Sequence, residues 1–154
     1  MKTVIVCASV AHGNTRRVAE AMAGVLDARI VTPEEADPAE LAGAGLLGFG
    51  SGVYYGRLHP GLAALARRLP AGRGRAFVFA TSGLPEPPFA PYARPLTRLL
   101  GSRGVTVEAA FSCRAYDTWG PFGLVGGIRR HRPGPADLAA ARAFAEGLRQ
   151  GGPR

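Results

Sequence analysis

The run Thr3-Val4-Ile5-Val6-Cys7-Ala8 is apolar at almost every position, and a helical pattern of Val18, Met22, Val25 and Leu26 follows after one short turn. A strand with one wet face alternates polar and apolar residues. A continuous run must be covered on both sides, which requires a parallel sheet sandwiched between helices. The alternation repeats along the chain. Strands are expected at Thr3–Ala8, Ala28–Thr32, Gly45–Gly50, Arg75–Ala80 and Val105–Ser112. Helices are expected at Asn14–Leu26, after Pro60 with Leu62, Leu65 and Leu69 inward, and at Pro95–Leu100. A last helix starts at Pro135 or Ala136 and presents Leu138, Ala141, Ala145 and Leu148 on one face. Thr32-Pro33-Glu34-Glu35 has capping-box spacing, which predicts a small acidic helix leading to Leu41. The pattern predicts an α/β fold, a single doubly wound five-stranded parallel sheet in three αβα layers, with residues 1–154 forming one domain.

In such sheets ligands sit beyond the carboxyl ends of the strands. The first of those ends is Ser9-Val10-Ala11-His12-Gly13-Asn14-Thr15, which opens a helix. Unpaired N–H groups at the positive end of a helix form a seat for phosphate. A Walker loop would need a lysine there, but the chain's only lysine is Lys2. A dinucleotide fingerprint needs three spaced glycines, and only Gly13 is present. A Cys-x5-Arg phosphatase loop starting at Cys7 would meet Gly13 where its arginine belongs. A phosphoacceptor domain would want acids where Ala8, Ser9 and Gly50 stand. Hydroxyls, an amide and backbone N–H groups remain, chemistry suited to a terminal phosphate that is held and not transferred. Arg16 and Arg17 occupy the first helical turn, where cations are disfavoured unless an anion is near.

Three later strand ends complete a slot: Ser51-Gly52-Val53-Tyr54-Tyr55-Gly56-Arg57, Thr81-Ser82-Gly83, and Cys113 through Tyr116, Asp117 and Trp119 to Gly120. Glycines permit close backbone approach, and a planar ring could stack between Tyr54 or Tyr55 and Tyr116 or Trp119. His12, His59 and His131 lack metal-ligand spacing, and no side chain stands out as a general acid or base. Ser51 is not a nucleophile elbow, because Phe49 replaces the first glycine of that motif. Cys7 and Cys113 read as reduced residues of a cytoplasmic protein, with neither a signal peptide nor a transmembrane segment expected.

Ser9-x-x-His12-Gly13-Asn14-Thr15, placed between strand and helix, resembles the FMN-phosphate loop of the flavodoxin family, and Gly50–Arg57 resembles its first ring-binding loop. Asp117-Thr118-Trp119-Gly120-Pro121 and Gly126-Gly127 resemble a basic bacterial subgroup of that family of poorly defined role. The resemblance covers essentially the whole chain. It implies strand order 2-1-3-4-5, FMN as cofactor, and a cofactor site made by Ser9, Ala11, His12, Gly13, Asn14, Thr15, Ser51, Gly52, Val53, Tyr54, Tyr55, Gly56, Thr81, Ser82, Gly83, Cys113, Tyr116, Asp117 and Trp119.

This chain departs from electron-carrying flavodoxins in two ways. Those proteins are generally acidic, whereas this one has a formal charge of +8, with eight arginines against Glu86 alone between Leu41 and Val107. A long Gly/Pro/Arg connection also runs from 114 to 134 and holds Arg129, Arg130, His131 and Arg132. No aromatic-interleaved basic run accompanies the charge, so nucleic acid is not the expected partner. The expectations are an electron carrier serving a redox partner protein with an acidic surface, or a small FMN-dependent oxidoreductase. The enzyme would be of the quinone-reductase or menaquinone-linked protoporphyrinogen-oxidase type, acting on an anionic, quinone or membrane-associated substrate. A flavodoxin-shaped module without cofactor is the third reading. Unaided turnover of NAD(P)H or a porphyrinogen selects the second, and a colourless protein that takes up no FMN leaves the third.

Overall fold

The computed structural model describes residues 2–8, 13–54, 57–82, 93–114 and 134–150, with the backbone alone at Tyr54, Ser82, Cys113 and Arg114. In chain order the elements are β1 (Thr3–Ala8), α1 (Asn14–Leu26), β2 (Arg29–Val31), α2 (Pro38–Ala42), β3 (Leu46–Tyr54), β4 (Arg57–Leu58), α3 (Pro60–Arg68), β5 (Gly74–Ser82), α4 (Arg94–Ser102), β6 (Val105–Arg114) and α5 (Pro135–Arg149). The sheet order is β2-β1-β3-β5-β6, with all neighbours parallel and β4 paired antiparallel to the end of β3. With β4 set aside, this is the expected order. The sheet itself has six strands, because β3 runs on to Tyr54 and turns back through Arg57 and Leu58.

One sheet face, with Val4, Val6, Leu47, Phe49 and Val78, packs on Leu41 of α2, Leu62 and Leu65 of α3, and Leu96 and Leu100 of α4. The other, with Ile5, Cys7, Phe77 and Phe79, packs on Val18 and Met22 of α1 and on Ala141, Ala145 and Leu148 of α5. Both faces of β1 are therefore buried, which explains its unbroken apolar run.

The expected helix after Pro33 is displaced. Thr32 and Glu35 do exchange capping bonds, Glu35 N–H to Thr32 Oγ1 at 3.1 Å and Thr32 N–H to Glu35 Oε1 at 2.8 Å, but only a turn follows. The helix starts at Pro38, where the Asp37 carboxylate accepts from Ala39 N–H at 3.0 Å. Two adjacent signals of the same kind competed. Both Thr32 and Asp37 sit directly before a proline, and Asp is the stronger N-cap residue.

A register shift between Ala76 and Phe77 leaves Glu108 as the extra residue of β6, since Ala76 pairs with Val107 and Phe77 with Ala109. The bulge reverses which face the odd-numbered residues serve. Val107 packs with the α3–α4 side, whereas Ala109 and Phe111 pack with the α1–α5 side. Glu108 is held by Arg75 through two bonds, Nε to Oε1 at 2.5 Å and Nη2 to Oε2 at 2.8 Å. The turn before β6 is closed by Gly72 N–H to Arg103 O at 3.1 Å and Gly74 N–H to Gly104 O at 3.3 Å.

Candidate functional site

Pairing aligns Ala8 with Ser51, Gly52 with Thr81, and Thr81 with Cys113, so β1, β3, β5 and β6 end at one rim of the sheet. Helix α1 starts at the same rim. Its N-cap is Gly13, in the left-handed conformation with φ 62°, and no side chain caps it. The first-turn N–H groups of an α-helix have no acceptor within the helix. The first turn also carries no acidic residue of its own to offset the positive end of the helix dipole.

Asn14 and Thr15 are both buried, and Thr15 Oγ1 lies 2.8 Å from Thr81 Oγ1 in a buried hydroxyl pair. This contact joins the turn after β1 to the end of β5, across 66 residues of sequence. Either hydroxyl can donate. A bound phosphate dianion only accepts, so Thr15 would donate to it and Thr81 would donate to Thr15.

Ser51 has a different role. It is fully buried, and its hydroxyl donates to Gly52 O and accepts from His59 N–H at 3.0 Å. His59 in turn caps α3, its Nδ1 accepting from Gly61 N–H at 2.9 Å. Ser51 therefore fixes the β3–β4–α3 connection behind the rim. Gly52 and Val53 stand at the rim on β3, while Tyr54, Ser82 and Cys113 are placed by backbone only. Ser9, Ala11, His12, Tyr55, Gly56, Gly83, Tyr116, Asp117 and Trp119 lie outside the described residues, as does most of the 114–134 connection.

Cys7 pairs in register with Gly50 just below the rim. Burial pushes its thiol up to about 11, against the opposing pull of Arg16. A buried neutral thiol is a poor nucleophile. We expect alkylation of Cys7 to proceed only at the rate of unfolding, measured by mass spectrometry against denaturant. The raised value also has a sign for stability. The contribution is complete below the ordinary thiol pKa of 9.0 and is lost as pH climbs towards 11, so Cys7→Ala flattens the alkaline fall in melting temperature.

Among the described residues, no cluster of His, Cys, Asp or Glu could hold a metal ion, and no helix is long and apolar enough to cross a membrane. What the rim offers is a donor set: a helix start, two hydroxyls and an amide, with no carboxylate on Gly13–Thr15, Ser51–Val53 or Thr81. That set fits a phosphate dianion and would repel no part of it.

No family model matches the chain. It is 31% identical over 148 residues to the uncharacterized protein MJ0298 of Methanocaldococcus jannaschii, covering 96% of this chain and 98% of that protein. Among solved structures it superposes on a flavodoxin from the domain Archaea with a TM-score of 0.70 at 15% identity, covering 97% of each chain. The flavodoxin of Streptococcus pneumonia TIGR4 gives 0.72 at 15%, over 97% of this chain and 99% of that one. Rubredoxin oxygen:oxidoreductase of Desulfovibrio gigas gives 0.69 at 16%, over 94% of this chain and 34% of that one. At such identities the likeness is one of fold, and the fold is flavodoxin-like.

Proposed function

The chain belongs to the family of the uncharacterized Methanocaldococcus jannaschii protein, and we propose that it binds FMN and carries electrons between redox partners. The observation that carries the reading is the uncapped start of α1 beside the buried Thr15–Thr81 hydroxyl pair, at the rim where β1, β3 and β5 end. The flavodoxin-like fold supports it. So does a donor set that can hold a phosphate and has no group to transfer it.

FMN, when bound, supplies the redox chemistry, and the protein supplies position and electrostatics. The Asn14 amide, Thr15 hydroxyl and N–H groups of the first turn would hold the phosphate. Thr81 would orient Thr15. Gly52 and Val53, with the loop residues outside the described set, would flank the ring. Arg16 and Arg17, exposed on the first turn, would add positive potential behind the phosphate. A basic surround favours an anionic reduced ring, so the potential should lie above that of acidic flavodoxins, as potentiometric titration would read.

The direct test is flavin uptake by the purified protein, followed by absorbance and calorimetry with FMN and with riboflavin, which lacks the phosphate. A hydrogen bond to a charged group is worth about 1.5–3 kcal/mol. Thr15→Ala should therefore weaken FMN binding by about 10-fold or more while leaving riboflavin unchanged. Asn14→Ala should act in the same direction, and Thr81→Val more weakly. A wild-type protein that takes up no FMN, or a Thr15→Ala variant of full affinity, overturns the assignment.

A further inference from the structure

We propose that the outer face of the α3–α4 layer is a docking surface for an anionic lipid membrane. The two helices pack against each other on one side of the sheet, and Arg103 after α4 donates through Nη2 to Arg67 O at the end of α3. Arg67, Arg68, Arg94 and Arg98 are exposed on the helices, as is Arg73 in the segment after α3. Neither helix contains an acidic residue. Elsewhere several arginines are matched: Arg16 with Glu20, Arg29 with Glu40, Arg75 with Glu108 and Arg149 with Glu146. On this layer, Arg67, Arg68, Arg73, Arg94 and Arg98 make no ion pair among the described residues.

The fold does not ask for this charge. Arg94 opens α4, where the dipole disfavours a cation, and it stands four residues from Arg98, where like charges repel. Among the described residues, the other exposed positions of the two helices and the segment after α3 are small, including Pro70, Ala71, Pro95 and Gly101, with no exposed aromatic or large aliphatic side chain. That composition identifies the partner. A protein interface draws its affinity from buried aromatic and apolar anchors, and single-stranded nucleic acid needs stacking rings. A plane of anionic head groups needs only positive charge spread over a broad front. With charge and no large apolar anchor among the described residues of this face, the docking is peripheral and sensitive to salt.

The proposal is independent of the cofactor, so vesicle binding and flavin uptake can fail separately. Sedimentation with phosphatidylcholine vesicles, with and without phosphatidylglycerol, reads it directly. Binding is expected only with phosphatidylglycerol present, and is lost on adding salt. An arginine at an anionic surface is worth about fivefold in partition, so reversal at Arg98→Glu should cost about 25-fold, and Arg68→Glu the same. Arg142→Glu is the control. It changes net charge identically but lies exposed on α5, on the other side of the sheet, and should alter binding by less than about twofold. Circular dichroism confirms that each variant is folded. Equal losses at Arg98 and Arg142, no binding by the wild type, or tighter binding to duplex DNA at the same salt would each overturn the proposal.

Discussion

Gly104→Ala is expected to destabilise the protein by about 4 kcal/mol or more, which places it among the exceptional single substitutions. Two separate costs act at this position. Gly104 has φ 84°, a conformation that a side chain strains, and its Cβ would stand 1.6 Å from the Gly72 carbonyl oxygen. The obstruction is backbone, held by the Gly72–Arg103 and Gly74–Gly104 hydrogen bonds, so no rotamer change relieves it. Relief requires opening the turn that sets β6 beside β5. Thermal denaturation should show a fall of about 10 °C or more for a chain of this size. Gly101→Ala supplies the contrast. Its Cβ would meet nothing within 4 Å and it lies inside α4, so the change should stabilise by about 0.5–1 kcal/mol. Equal effects from the two substitutions would show that the turn geometry is wrong.

Gly50→Ala should cost about 3 kcal/mol by a different route. Its backbone is ordinary strand, but its Cβ would fall 2.1 Å from Phe79 Cζ. The Phe79 ring lies across Gly50 on the neighbouring strand, as Phe77 lies across Gly48, and both rings are fully buried. Phe77 and Phe79 stack at 6.0 Å, and Phe144 of α5 meets Phe77 edge-on at 6.0 Å, so the ring has nowhere to turn. The companion variant is Phe79→Leu, which frees that volume. Combined with Gly50→Ala, it should destabilise less than the two changes summed, with a coupling of at least about 1 kcal/mol in denaturant titrations. Strict additivity would mean that the ring and the glycine do not meet.

The layers were readable because each strand of the parallel core declares itself by apolar continuity, as Val4–Val6 and Phe77–Phe79 do. The helix start at the sheet rim was readable too, since Gly13, Asn14 and Thr15 stand between a strand and a helix in consecutive sequence. Harder to see were features made by residues far apart. The Thr15–Thr81 pair depends on the register of three strands, and a single threonine carries no sign of its partner. Nor does the sequence show the bond from His59 N–H to the Ser51 hydroxyl, which forms only because β4 folds back on β3. The Glu108 bulge left no pattern, because small residues on both sides of it suit either face. Asp37 and Thr32 posed similar signals five residues apart, and the packing of Leu41 into the core adds to the better cap in favouring the later start.

The outermost strands of a sheet are where one copy of a protein can recruit another, lengthening the sheet towards a fibril. Here β2 offers only three residues, and β6 carries its bulge at the charged Glu108, which interrupts the even row of amide and carbonyl groups that an incoming strand would need. The kink that re-aims Ala109 and Phe111 into the core thus also makes that flank a poor template for edge-to-edge joining of sheets.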